Sequence, residues 1–133
     1  MPRTRTTITS NDAPAAIGPY SQAIRAGDLV FLSGQIPLNP TTGAMVGDGD
    51  PEAEARQVMA NLAAVLAAAG GSLADLARTT IYLADLGDFG VVNEVYGSCF
   101  EADPPARATV EVAALPKGAR VEISGVAYLP QQP

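Results

Sequence analysis

The sequence predicts an α+β fold in which two helices cover one face of a mainly antiparallel sheet. Several segments alternate apolar and polar residues with a period of two, which is typical of half-buried strands. Two further segments carry apolar residues at helical spacing and interrupt the strands in the order β-β-α-β-α-β-β. Because there is no linker, repeat or low-complexity tract, residues 1–133 are expected to form a single domain.

The first strands are predicted from alternation and turn chemistry. Residues 22–34 have the pattern of a hairpin that turns at Gly27–Asp28, a favourable two-residue connection. Residues 29–32 are all apolar, so we expect that strand to be buried on both faces. The polar, glycine-rich stretch 39–50 indicates a surface loop. The alternating pattern of residues 77–84 predicts a further strand.

Both helices are bounded by recognisable signals. Asp50 is suited to the N-cap of the first helix and Pro51 to its first position, and Gly70–Gly71 supplies the end. The second helix is predicted to begin at residues 85–88 and to end at 103–105, where two prolines follow an aspartate. Its apolar stripe comprises Phe89, Val92, Tyr96, Cys99 and Phe100.

The segment 105–129 contains two alternating runs around a short turn. If these runs pair as an antiparallel hairpin, Glu111 faces Arg120 and Arg107 lies diagonally within reach of Glu122. We interpret the first pair as an ordinary strand-face ion pair. For the second pair, spacing leaves two interpretations open: a similar ion pair, or a small-acid site in which a guanidinium binds a carboxylate and a glutamate activates water.

Composition excludes several classes of function. Fourteen acidic and eight basic residues give a formal charge of −6, and Lys117 is the single lysine, so no basic stripe is available for nucleic acid. Histidine is absent, which removes the commonest metal ligand and the usual base of nucleophilic triads. We therefore expect no metal site. No phosphate-cradling glycine loop appears either, so we expect no nucleotide cofactor.

The cysteine content and the distribution of apolar residues indicate a cytoplasmic protein. The lone Cys99 lies among apolar residues and suggests a packed thiol in a reducing compartment. No segment has the length and apolarity of a signal peptide or a membrane span.

The sheet face that two helices leave uncovered is expected to contact another copy of the chain. Beside the charged pair, the predicted hairpin would place small or uncharged groups such as Thr109, Ser124 and Val126 there. Such a surface suits a subunit contact that encloses a polar pocket better than it suits water.

Four segments, spread over nearly the whole length, carry a family resemblance. They are APAAIGPYSQA (13–23), FLSGQIPLNPTTG (31–43), TTIYLADLGDFGVVNEVY (79–96) and PARATVEVAALPKGARVEISGVA (105–127). Together they resemble the RidA family, also called the YjgF/YER057c/UK114 family. The resemblance implies a chorismate-mutase-like α+β fold and a homotrimer with pockets at its subunit interfaces. It also implies a 2-iminobutanoate/2-iminopropanoate deaminase-type hydrolase, which converts reactive enamines and imines such as 2-aminoacrylate to 2-keto acids and ammonia.

The resemblance also assigns roles to residues. The family's carboxylate-binding arginine falls on Arg107 and its water-positioning glutamate on Glu122. Thr109 stands where archetypal members have cysteine, a departure that bears on substrate range. The remaining positions that match the family's pocket are Tyr20, Ser33, Gly34 and Asn93.

Two other functions are compatible with family membership. A non-catalytic trimer could use the same pocket to bind a 2-keto acid and act as a sensor or partner. A ribonuclease role, also associated with this family, fits poorly with a charge of −6 and no histidine.

Overall fold

The computed structural model describes residues 5–131, which form one six-stranded sheet and two α-helices. The strands are β1 (Arg5–Ile8), β2 (Ala23–Ala26), β3 (Leu29–Gln35), β4 (Leu76–Leu83), β5 (Ala106–Glu111) and β6 (Val121–Tyr128). The helices are α1 (Pro51–Ala68) and α2 (Phe89–Gly97). The strand order is β1-β2-β3-β6-β4-β5, and every neighbouring pair is antiparallel except β4 and β5. The predicted class, a mainly antiparallel mixed sheet with two helices, is confirmed.

The hydrophobic core lies between the helices and one face of the sheet. Alternate residues of the interior strands β4 and β6 point into it, including Ile81 on β4 and Ile123 on β6, which are paired in register. They pack in one cluster with the buried residues of α1, which are Ala55, Val58, Met59, Leu62, Val65 and Leu66. Both strands therefore keep one face for the core and one for other contacts.

Helix α1 begins and ends as the sequence predicts. The Asp50 carboxylate accepts a hydrogen bond from the Glu52 N–H at 3.1 Å, and Pro51 is the first helical residue. Gly70 follows the last turn with a φ of 91°, a left-handed conformation that glycine adopts without strain. A fully buried glutamate, Glu54, accepts a 2.8 Å hydrogen bond from the Arg120 N–H and thereby ties α1 to the start of β6.

Residues 29–32 of β3 were predicted to be buried on both faces of the sheet, but the strand is buried on only one face. Val30 and Leu32 are buried, whereas Leu29 and Phe31 are 38% and 45% exposed. The reason is that both helices pack on the same side of the sheet. We call the other side the open face; it presents large apolar groups.

The predicted hairpin of the last two strands is wrong, because β4 lies between them. β5 pairs in parallel with β4 at the sheet edge, and β4 pairs with β6. A position inside the sheet suits β4, because its Ile81 and Leu83 are fully buried. The edge position suits β5, because none of its residues is buried. The connection between Glu111 and Val121 is long enough to pass the intervening strand.

The predicted ion pair between Arg120 and Glu111 is consequently also wrong. The Arg120 guanidinium instead makes two hydrogen bonds of 2.9 and 3.1 Å to the Asp88 carboxylate, immediately before α2. Glu111 accepts a 2.7 Å hydrogen bond from the Leu86 N–H. β1 was not predicted, although the β-branched residues of its sequence, RTTI, favour a strand.

Among residues 5–131, neither helix combines the length and apolarity needed to cross a bilayer.

Candidate functional site

A cleft of about 360 Å³ opens on the open face at the C-terminal end of β3. It brings together four of the residues that the sequence predicts for the pocket, namely Tyr20, Ser33, Gly34 and Glu122. The apolar part of its wall was not predicted and comprises Ile17, Ile36 and Pro116. The cleft thus combines apolar walls with a few polar groups, as small-molecule sites usually do.

The cleft exists because the pairing of β3 with β6 is interrupted there. Leu32 pairs with Gly125 and Gln35 with Ile123, so Ser33 and Gly34 together oppose the single residue Ser124. Such a bulge bends the strand and changes the direction of its side chains, and bulges are common next to active sites.

The carboxylate of Glu122 lies directly against the Gly34 backbone. A Cβ atom on Gly34 would overlap Glu122 Oε2 and would lie 2.9 Å from Cδ. Because the φ of Gly34 lies outside the left-handed region, the backbone itself does not require glycine here. The close approach of the carboxylate leaves room for a Cβ at this position only if the Glu122 side chain moves.

Glu122 is half-buried and has no ion-pair partner among residues 5–131. Burial raises the pKa of its carboxyl above the ordinary value, because the charged form loses hydration. A glutamate with a raised pKa takes up and releases protons closer to neutral pH, which suits it to general acid-base chemistry.

Tyr20 and Ser33 are held by hydrogen bonds at the rim of the cleft. The Tyr20 hydroxyl accepts a 3.2 Å hydrogen bond from the Ile17 N–H, which folds the loop onto itself. The Ser33 hydroxyl donates to the Ser21 carbonyl at 2.6 Å. Since that bond uses its only proton, Ser33 can contribute an acceptor lone pair, and not a donor, to a ligand in this arrangement.

Arg107 occupies a different environment, on the edge strand β5. Its guanidinium carbon lies 5.6 Å from the centre of the Phe89 ring and 5.1 Å from that of Tyr96, both on α2. Tyr96 is buried, and its hydroxyl is 2.6 Å from that of Thr79, the residue that pairs with Arg107 on β4. Burial raises the pKa of Tyr96, so its ring stays neutral beside the arginine.

Arg107 and Glu122 therefore point to opposite faces of the sheet within one chain. Arg107 pairs with Thr79 and Glu122 with Tyr82, and these two residues of β4 are an odd number of positions apart. The prediction that the two charges share a face and meet within the chain is wrong. It depended on direct pairing of β5 with β6, which the intervening β4 prevents.

The other two predicted residues lie on the side of Arg107. Thr109 pairs with Ile81, and its Oγ1 is buried without a hydrogen-bond partner in the described part of the chain. Asn93 is exposed on α2, four residues after Phe89 and three before Tyr96, so all three share one flank of the helix. The predicted residues thus form two groups: the cleft group with Glu122, and the arginine group with Arg107.

The aromatic contacts of Arg107 were not predicted from the sequence. Phe89 and Tyr96 were interpreted only as part of the apolar stripe of the second helix. Their spacing carries no signal for contact with a cation, because that contact depends on how α2 packs over β4 and β5. Among residues 5–131, no three acidic or cysteine side chains are grouped so as to hold a metal ion.

Comparison with known proteins identifies close relatives. Residues 10–129 match the family described as endoribonuclease L-PSP. The chain is 58% identical to protein DfrA of Myxococcus xanthus over 125 residues, covering 92% of this chain and 95% of that protein. It is 48% identical to a mouse protein named 2-iminobutanoate/2-iminopropanoate deaminase over 123 residues, covering 92% of this chain and 90% of that one.

A solved structure agrees with these relatives. The crystal structure of RidA from an Antarctic Psychrobacter species superimposes with a TM-score of 0.89 at 46% identity, covering 93% of this chain and 99% of that one. This similarity confirms the predicted chorismate-mutase-like fold.

Proposed function

The chain belongs to the RidA family, and from this we propose that it hydrolyses reactive enamine and imine intermediates to 2-keto acids and ammonia. 2-Aminoacrylate is an example of such a substrate. The observation that carries the proposal is the Glu122 carboxylate, which is half-buried in a small cleft, rests on Gly34 and has a raised pKa. The deaminase name of the mouse relative supports the same reaction.

The chemistry requires orientation and one activated water. An enamine of a 2-amino acid tautomerises to an imine, whose carbon is already electrophilic. Glu122 accepts a proton as water attacks that carbon of the protonated imine, and the C=N double bond becomes a C–N single bond in a neutral carbinolamine. The protonated carboxyl then gives this proton to the amino group. Glu122 takes the hydroxyl proton as the C–N bond breaks, so ammonia leaves and the C=O bond of the keto acid forms; the last proton passes from Glu122 to ammonia or water. A positioned acid-base group of this kind contributes typically about 10²–10⁴-fold.

Arg107 binds the substrate carboxylate in this proposal. Guanidinium groups bind carboxylates through two parallel hydrogen bonds, which fixes orientation as well as charge. Tyr20, Ser33 and Gly34 line the Glu122 side of the pocket, whereas Asn93 and Thr109 line the Arg107 side.

We further propose that the pocket forms between subunits of a homotrimer. Within one chain Arg107 and Glu122 face opposite sides of the sheet, so one chain supplies two incomplete halves of a site. The open face also carries exposed apolar residues that association would cover, including Leu29, Phe31 and Tyr128. In such an assembly Arg107 of one subunit meets the Glu122 cleft of its neighbour.

The experiment that tests this proposal is a timed assay of imine hydrolysis with several amino-acid-derived substrates. In a coupled dehydratase assay, Arg107→Ala should abolish the acceleration of 2-keto acid formation while the protein stays folded. The matched control is Arg56→Ala, because Arg56 is exposed on α1 and, among residues 5–131, pairs only with Glu52 in the same helix. If Arg107→Ala retained the wild-type rate, the proposed role of Arg107 would be wrong.

The alternative is a non-catalytic trimer that binds a 2-keto acid. Glu122→Gln separates the two functions, because the variant should keep ligand affinity in both but lose turnover only if the protein is an enzyme. The family description as endoribonuclease suggests RNA cleavage as another activity. Incubating RNA with purified protein that is free of nuclease contamination tests it, and the charge of −6 argues against it.

A further inference from the structure

Arg107 differs from the other partly buried arginines in how it is held. Arg25 donates to the carbonyls of Gly27, Leu129 and Ala69, and Arg120 is bound by Asp88. Within residues 5–131, Arg107 has no hydrogen bond or ion pair, although it is partly buried. Its position is set instead by the two aromatic rings of α2.

This arrangement has a chemical consequence. A hydrogen-bonded arginine has already used some of its five N–H donors, and a carboxylate partner would also neutralise its charge. An aromatic ring attracts the guanidinium through its π-electrons and uses none of the N–H groups. The rings can therefore orient Arg107 while its donors stay available to an anionic ligand.

The Phe89 and Tyr96 rings both lie where α2 is joined to the sheet. Tyr96 is buried and hydrogen-bonded to Thr79, on the strand next to Arg107. Phe89 is the first residue of α2, directly after Asp88, which the Arg120 guanidinium binds from the start of β6. Both rings are thus connected to the sheet that carries Arg107.

We propose that Phe89 and Tyr96 are positioning residues which hold the Arg107 guanidinium ready to bind the carboxylate of the substrate. The inference rests on the proposed function for the identity of the ligand, a small 2-imino or 2-keto acid. The aromatic residues act through Arg107 and need not contact the reacting atoms.

Phe89→Leu is the decisive variant, because Phe89 is 41% exposed and leucine keeps an apolar side chain while removing the ring. It should raise KM for the imine, and the Kd for 2-oxobutanoate measured by calorimetry, about 2- to 30-fold, which is the range of one cation–π contact. The effect on kcat should be small, since Arg107 holds the carboxylate equally before and during the reaction. Phe89→Tyr keeps a ring and should restore wild-type values.

Phe100→Leu is the matched control. The Phe100 ring packs 5.0 Å from that of Tyr96, at 54° to it, but makes no cation–π contact with Arg107. If loss of aromatic packing around Tyr96 were the cause, Phe100→Leu would weaken binding as much as Phe89→Leu. An equal effect of the two variants, or an unchanged Kd in Phe89→Leu, overturns the proposal.

The binding readout also separates this proposal from the proposed activity. If the wild-type protein binds 2-oxobutanoate through Arg107 but hydrolyses no imine, the enzymatic function fails and the Kd of Phe89→Leu still decides the role of the rings. If the wild-type protein binds 2-oxobutanoate no better than Arg107→Ala, the guanidinium is not a carboxylate clamp and the proposal is overturned.

Discussion

Replacing Gly34 with alanine is expected to abolish the proposed imine hydrolysis through the displacement of Glu122. The new Cβ would overlap Glu122 Oε2 and lie 2.9 Å from Cδ, both closer than real Cβ contacts allow, and it would lie 3.0 Å from Cγ, which is tighter than most. The backbone of Gly34 is compatible with alanine, and the obstructing atoms are the end of a flexible side chain. The carboxylate should therefore move while the strand stays in place.

The expected fall in kcat of Gly34→Ala follows from the role that we propose for Glu122. If the displaced carboxylate no longer activates water, kcat should fall by up to about 10²–10⁴-fold, the usual contribution of a positioned acid-base group. The free energy of unfolding should change little. Alanine in place of glycine at a compatible position stabilises the fold by about 0.4–1 kcal/mol, and this gain offsets part of the cost of moving the glutamate. The variant keeps the Gly34 N–H, so that donor cannot explain a loss of activity.

The assay is timed 2-keto acid formation coupled to a dehydratase, together with thermal unfolding. Gly97→Ala is the control, because a Cβ there meets no atom within 4 Å. In a Glu122→Gln background, Gly34→Ala should add little further loss, since both changes affect the same group. Wild-type kcat in Gly34→Ala, or full additivity of the two losses, would refute the reasoning.

Three further predictions concern stability and assembly. Burial raises the pKa of Glu122, so its contribution to stability is fully present below the ordinary pKa of 4.5 and is lost as the pH rises through the folded-state value. Glu122→Gln, which cannot ionise, should therefore melt at a higher temperature than the wild type at neutral pH, and the difference should disappear below pH 4.5. Asp88→Ala removes a half-buried ion pair and should lower the free energy of unfolding by about 1–2 kcal/mol in denaturant titrations. Glu52→Ala, which removes an exposed pair, should cost at most about 0.5 kcal/mol. Phe31→Asp on the open face should dissociate the proposed trimer in analytical ultracentrifugation, whereas Val91→Asp on the helix side should not.

Each of these predictions has a result that contradicts it. Equal melting temperatures of Glu122→Gln and wild type across the pH range would show that burial does not perturb this carboxyl. Equal costs for Asp88→Ala and Glu52→Ala would place the Asp88 ion pair among ordinary surface pairs. A Phe31→Asp protein that sediments like the wild type would exclude the open face as the assembly surface.

Much of the fold was predictable because its signals are local. The turn at Gly27–Asp28 and the ends of α1 depend on residues close to one another in sequence. The faces of β6 were also predictable, since alternation within one strand places Glu122 opposite Ile123 whichever strands lie beside it. These features follow from backbone geometry that a short segment determines for itself.

Strand pairing was not predictable in the same way. The two runs in 105–129 are close in sequence and suited to a hairpin, yet β4 lies between them. Strand order depends on which strand gains most from burial on the core side, and that is settled by the packing of the whole sheet. The predicted hairpin also placed Arg107 on the wrong face of the sheet. It led to the further prediction of an ion pair between Arg120 and Glu111, which does not form.

By itself, the sequence determined the fold class and the family and singled out Arg107 and Glu122 as candidate site residues, because these follow from periodicity, composition and motif. Only the tertiary structure decided where those residues lie. It places Glu122 against Gly34 on the open face and Arg107 between two aromatic rings on the helix side. The physical reason is that alternation within a strand determines which of its residues share a face, whereas the side of the sheet on which that face lies, and the neighbours it meets, depend on contacts between segments far apart in the chain.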